Sequence, residues 1–258
     1  MPIRIARYGW TPDLPDHRDR FFAAPADTAQ KLPSAVDLTP KCPKKVYDQG
    51  QLGSCTANAI AGAFEFDILR QHGRDFMPSR LFIYFNERAI EGTIKEDAGA
   101  MIRDGIKSVK KLGVTSEKLW PYSDQNPGPF QEKPSAQAYA DALSHQVTTY
   151  ERIPRNLRSM KACLASGFPF VFGFTVYESF ESAEMAKTGE LSLPQASEEI
   201  VGGHAVLAVG YNDATQRFIV RNSWGPDWGK HGYFTIPYAY LLDEQLSDDF
   251  WTLRAVET

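Results

Sequence analysis

The stretch DQGQLGSCTANAIAG, residues 48–62, decides how the rest of this chain is read. It sets Cys55 after two glycines, at the head of a run with helical spacing. Ile60, Phe64 and Ile68 recur every fourth residue, with Ala57 and Ala61 on the same side. Most cysteines are small buried hydrophobes. A thiol in the first turn of a helix is different, because the partial positive charge there favours the thiolate, and the thiolate is the nucleophile. The position predicts a lowered pKa at Cys55 and asks for a base to serve it.

Bulk properties narrow the setting. The chain has 258 residues, 43% hydrophobic and 23% charged, an ordinary globular composition long enough for two lobes around a sizeable core. A net charge of −4 carries no polyelectrolyte signature, so no nucleic-acid partner is expected. No stretch approaches the roughly 18 apolar residues of a membrane span, so no membrane partner is expected either. Cys42, Cys55 and Cys163 are odd in number and widely spaced, which argues against a disulfide framework or a zinc site and for a reducing compartment. No metal and no cofactor are expected. The start, MPIRIARYGWTPDLPDHRD, has no apolar run of signal-peptide length, so a cytoplasmic location is expected, with export by another route left open.

Composition changes along the chain suggest three parts. Residues 1–31 carry Pro2, Pro12, Pro15 and Pro25 among Tyr8, Trp10, Phe21 and Phe22. They form an arm too proline-broken for a helix and too aromatic for a solvated linker. Residues 32–140 read as a mainly helical lobe, with helices stopped at Gly73, Gly92 and Gly113. Residues 141–258 read as a mainly β lobe, from the runs PFVFGFTVY, HAVLAVGYN, RFIVRNSWG and HGYFTIPYAYL, with NDATQ as a hairpin loop. The expected fold class is α+β, two lobes with a cleft between them.

Of His17, His72, His145, His204 and His231, only His204 stands in a telling context. VGGHAVLAVGY places it after two glycines at the mouth of an apolar strand, where an imidazole has room to face a cleft and exchange a proton with a thiol. Downstream, RNSWGPDWGKHGYF offers Asn222, whose side-chain carbonyl would accept from the imidazole and hold its tautomer; alone, it reads as a turn-capping asparagine. Gln49, with Gly50 and Gly53 beside it, offers an amide that would join the Cys55 N–H as a donor to a developing oxyanion; its plain reading is an exposed loop residue.

Taken in order, DQGxxGSC, HAVxxVGY and NSWGxxWGxxGY resemble the papain-like cysteine peptidase family, from about LPSAVDLTP to near the end of the chain. The resemblance implies Cys55 as nucleophile, His204 as acid/base, Asn222 as orienter and Gln49 as oxyanion donor. It implies that Trp224 shields the His–Asn hydrogen bond, that Gly99 in EDAGAM pairs with substrate backbone, and that Gly203 and Gly173 wall a roomy pocket for a bulky apolar side chain. It further implies a helical lobe facing an antiparallel, β-barrel-like lobe. Two departures stand out. Leu52 replaces the family's first motif cysteine, so the nearby disulfide cannot form, and Thr56 replaces the aromatic after the nucleophile. The chain resembles a short form, with residues 1–31 in place of the long helical propeptide, as a pro-segment across the cleft or a strap across a lobe.

The implied activity is peptide-bond hydrolysis through a thioester at Cys55, by a monomer acting on peptide or protein substrates. The alternatives are another acyl transfer on the same residues (transamidation, deamidation or isopeptide cleavage) or a silent binding protein on this fold.

Overall fold

A computed structural model describes residues 8–25, 28, 31–73 and 76–257. Of the arm, residues 1–7, including Pro2, together with 26, 27, 29 and 30, lie outside the described residues.

After the arm come a short strand, β1 (Ala35–Asp37), and three helices, α1 (Cys55–Arg70), α2 (Arg80–Glu91) and α3 (Ile102–Leu112). Their ends follow local rules. The Ser79 side chain accepts from the Phe82 N–H to cap α2, and Gly92 ends it in a left-handed turn at φ 77°. Helix α1 is unlike the other two. Every residue from Cys55 to Ile68 is buried, because α2 and α3 cover one side and the sheet covers the other.

After the short helix α4 (Ala136–Ala142), the chain forms β2 (Val147–Arg152), α5 (Leu157–Ala165), β3 (Phe170–Tyr177), α6 (Ala183–Thr188), β4 (Ile200–Asn212) and β5 (Arg217–Arg221). It closes with β6 (Tyr233–Pro237), α7 (Tyr238–Leu242) and β7 (Ser247–Val256). The strands pair in the order β2-β7-β3-β4-β5-β6, all antiparallel, with β1 on the far end of β4. The expected hairpin at NDATQ is present between β4 and β5.

Two expectations need correction. The sheet is open rather than barrel-like, since β2 and β6 end the order without pairing to each other. The run HGYFTIPYAYL is not one strand: Pro237 ends β6, and YAYLL turns into α7, because proline cannot donate to a ladder but suits a helix start. Strands β2 and β7 and helix α5 are additions to the sequence reading.

Beyond residue 13, the arm straps the sheet edge. The Phe22 N–H donates to the Arg152 carbonyl at 2.8 Å and the Arg152 N–H to the Arg20 carbonyl at 2.8 Å. Phe22 is buried, whereas its neighbour Phe21 is 62% exposed. Asp19 ties the strap by ion pairs to Arg103 of α3 and Arg152 of β2.

Cys42, Cys55 and Cys163 are free thiols, each buried. The melting temperature is therefore expected to be the same with and without reductant in differential scanning calorimetry. A drop on adding reductant would reveal a bond this fold does not use.

Candidate active site

Cys55 is the first residue of α1, so its sulfur sits at the positive helix end. The approach loop is held from both sides. The Gln49 N–H donates to the Ser223 carbonyl at 2.9 Å, and the Ser223 hydroxyl donates to Gln49 Oε1 at 2.7 Å. One Gln49 Nε2 hydrogen goes to the Leu52 carbonyl at 2.9 Å, which leaves the second donor of that amide for a ligand. Gln49 is fully buried, not the exposed loop residue of its plain reading.

Across from α1, the glycines before His204 let β4 reach the cleft, and β3 pairs Phe174 with His204. The β4–β5 register, Leu207 opposite Arg221, returns Asn222 to His204. His204 Nε2 lies 2.8 Å from Asn222 Oδ1. The Ser223 backbone N–H donates to that same Oδ1 at 2.8 Å. A backbone N–H can only donate, so Oδ1 is the acceptor in both bonds and Nε2 carries the imidazole proton. Nδ1, buried and without a hydrogen-bond partner among the described residues, is then the basic atom. The Trp224 ring lies 5.2 Å from the imidazole, with Phe174 and Phe180 around it.

The arm runs through the cleft. The Trp10 N–H donates to the Gly203 carbonyl at 3.0 Å, the Ala100 N–H to the Gly9 carbonyl at 2.7 Å, and the Thr11 N–H to the Ala100 carbonyl at 3.1 Å. The Tyr8 ring meets the His204 imidazole edge-on at 5.8 Å. The Trp10 indole fills a pocket between Gly173 and Gly203, where a Cβ on either glycine would overlap it. At the pocket floor, Trp10 Nε1 donates to Asp249 Oδ2 at 3.1 Å, and the Asp13 N–H donates to the same oxygen at 2.8 Å. Asp249 stands where β7 bulges against β3, at φ 59°, a conformation uncommon outside glycine.

The sequence-predicted residues Cys55, His204, Asn222, Gln49, Trp224 and Gly203 thus gather around one cleft. Gly99 does not itself pair with the arm. Its N–H goes to the Tyr84 hydroxyl, and the residue that pairs with the chain in the cleft is Ala100. Gly99, at φ 72°, makes the turn that presents Ala100, and a side chain there would strike the Gly9 carbonyl. Ala100, Asp13 and Asp249 escaped the sequence reading. Alanine carries no chemical signal, and the two aspartates become neighbours only through folding.

Burial also reverses one electrostatic expectation. Loss of solvent pushes the Cys55 thiol up to about 12, although hydrogen bonds from the backbone of Ala205 and Gly9 oppose it. The same burial pushes His204 down to about 4, against the opposing Asn222 bond. With the arm in place the pair rests as thiol and neutral imidazole, not as the ion pair that the helix position alone predicts.

A cysteine at a buried helix mouth and a hydrogen-bonded histidine–asparagine pair are features of papain-like thiol proteases, and comparison with known proteins agrees. The profile for papain family cysteine proteases matches residues 32–241. The chain is 42% identical, over 96% of its length and 87% of the other, to an uncharacterised peptidase C1-like protein of Acanthamoeba polyphaga mimivirus. It is 32% identical to cathepsin B-like CP3 of Giardia intestinalis, over 85% of its length and 74% of the other. It superposes on the crystal structure of xylellain, a cysteine protease from Xylella fastidiosa, with a TM-score of 0.92, 47% identity and 96% of each chain covered. The chain belongs to the papain family and is a cysteine protease.

If the arm keeps the thiol neutral, iodoacetamide should label Cys55 slowly at pH 6. Trp10→Ala, which empties the pocket, should raise that rate more than about tenfold by readmitting water and restoring thiolate. Mass spectrometry of the cysteine peptides reads the difference, with Cys42 and Cys163 as internal controls.

Proposed function

We propose that this protease hydrolyses peptide bonds with Cys55 as nucleophile, His204 as acid/base, and Asn222 as orienter. The observation that carries the reading is the 2.8 Å bond from His204 Nε2 to Asn222 Oδ1, which leaves Nδ1 as the basic nitrogen of the ring, unpaired among the described residues. In the open enzyme, Nδ1 takes the thiol proton and the thiolate attacks the scissile carbonyl carbon. The oxyanion receives the Cys55 N–H and the spare Gln49 Nε2 donor. Nδ1 then passes its proton to the leaving amine, and the C–N bond breaks to give a thioester. Water, losing a proton to Nδ1, attacks the thioester and releases the acid, and the sulfur recovers its proton.

Residues 8–13 act as a built-in inhibitor in this reading. They use the backbone edges that a substrate needs, at Ala100 and Gly203. They are not a substrate, because the Gly9 carbonyl is held by Ala100 and the Gly9 backbone turns a hydrogen bond, not a carbonyl carbon, towards the sulfur. The pocket that Trp10 vacates then takes a bulky aromatic side chain of the substrate.

The anchor of the arm is sensitive to pH. Burial, and then the neighbouring Asp249, raise Asp13 to about 7, while bonds from Arg103 and Trp251 oppose the shift. Asp249 also pairs with Arg152, which Asp248 shares. A raised acid favours docking when protonated. Docking is therefore firmest below the ordinary carboxyl range near 4, and weakens as pH rises through about 7.

Peptidase activity of the wild type should accordingly rise more steeply between pH 5 and 8 than that of Asp13→Asn, which removes the titrating carboxyl. Identical profiles would detach Asp13 from the gate. In the Trp10→Ala background, His204→Ala should fall to near background, Gln49→Ala should lose about 10²–10³-fold in kcat, and Asn222→Ala should keep measurable turnover. A folded Asn222→Ala as inactive as Cys55→Ala would refute the orienting role.

A further inference from the structure

The two donors assigned to the oxyanion come from different pieces of chain, Gln49 from a glycine-bearing loop and the Cys55 N–H from a helix start. A donor works only if it stands about 2.7–3.1 Å from where the oxyanion forms, so the spacing between the pieces must be fixed. The Tyr122 hydroxyl spans them. The Tyr122 hydroxyl donates to the Gln49 backbone carbonyl at 2.8 Å, and the same oxygen lies 2.6 Å from the Ser54 hydroxyl. With the Tyr122 proton committed to Gln49, Ser54 is the donor in the second bond. Ser54 immediately precedes Cys55, so a single phenol oxygen ties both sides of the hole.

The phenol itself is clamped. The Arg80 guanidinium lies 3.8 Å from the Tyr122 ring centroid, donates to the Asp48 carbonyl at 2.8 Å and to Asn58 Oδ1 at 3.1 Å, and is neutralised by Glu117 at 2.5 Å. Asn58 Nδ2 closes the circuit by donating to the Ser54 carbonyl at 2.8 Å and the Ser54 hydroxyl at 3.1 Å. Loop residues 48–49 and helix residues 54–58 are thereby locked as one unit.

We propose that Tyr122 is a positioning residue of this protease, setting the separation of the two oxyanion donors through Gln49 and Ser54. The inference rests on the assignment of Gln49 made above. It concerns the spacing of the hole and not the reactivity of the thiol.

Tyr122→Phe tests it, since the ring and its stacking on Arg80 survive while both hydrogen bonds go. With a peptide amide substrate, kcat should fall about tenfold, less than for outright loss of a donor, with KM within about twofold. The rate of Cys55 alkylation, a reaction that develops no oxyanion, should not change. Added to Gln49→Ala, Tyr122→Phe should cost little more, because its action passes through Gln49. Ser54→Ala, which breaks the same tie from the other end, should repeat the pattern and serves if Tyr122→Phe folds poorly. A parallel fall in alkylation and turnover would overturn the proposal in favour of general loosening, and so would a full tenfold loss on top of Gln49→Ala. Undiminished kcat in Gln49→Ala would overturn the oxyanion assignment itself, and this inference with it.

Discussion

The burial of helix α1 on all sides is the constraint on which the other parts of this protein depend. Fourteen of its sixteen residues are buried, so it has no face along which to slide or roll without disturbing both the helices and the sheet. Small residues run along it, and Gly62 faces the Leu207 methyl of β4. A helix fixed in this way delivers its first residue, Cys55, to the seam with the sheet at a defined height. The side chain behind the thiol follows the same logic. Thr56 donates to the buried Glu87 carboxyl at 2.6 Å. Burial holds that carboxyl well above the usual range, and its charge, where present, works with desolvation to raise the Cys55 thiol.

A second consequence is the unusual weight of solvent in this cleft. The helix end and the histidine both favour an ion pair, but each needs water to reach its charged form at low cost. The arm removes that water. Inhibition by residues 8–13 would then be electrostatic as well as steric, because covering the cleft also discharges the pair inside it. A carboxyl at the anchor, buried beside another, adds pH to the factors that decide whether the cover stays.

The aromatic packing around His204 connects these features. Trp224, Phe174 and Phe180 hold the imidazole against Asn222, and Tyr8 joins them from the arm. The ring of aromatic side chains around the imidazole is therefore completed by a segment of the arm.

The sequence by itself determined what local chemistry and periodicity can encode. The every-fourth-residue spacing from Cys55 marked α1, glycines at 92 and 113 marked helix ends, and the glycine–histidine and asparagine–serine–tryptophan strings marked the residues that meet at the cleft. Side-chain type carries those signals. It does not carry the rest, because that depends on distant segments meeting. That Ala100 and not Gly99 pairs with the arm depends on which backbone groups a turn at φ 72° leaves free. Asp13 and Asp249 are ordinary aspartates until folding buries them together. The open sheet follows from edge strands β2 and β6 that never meet. The protonation of Cys55 was the expectation most completely reversed, for one reason: a helix dipole is a property of local sequence, whereas desolvation is a property of everything packed around it.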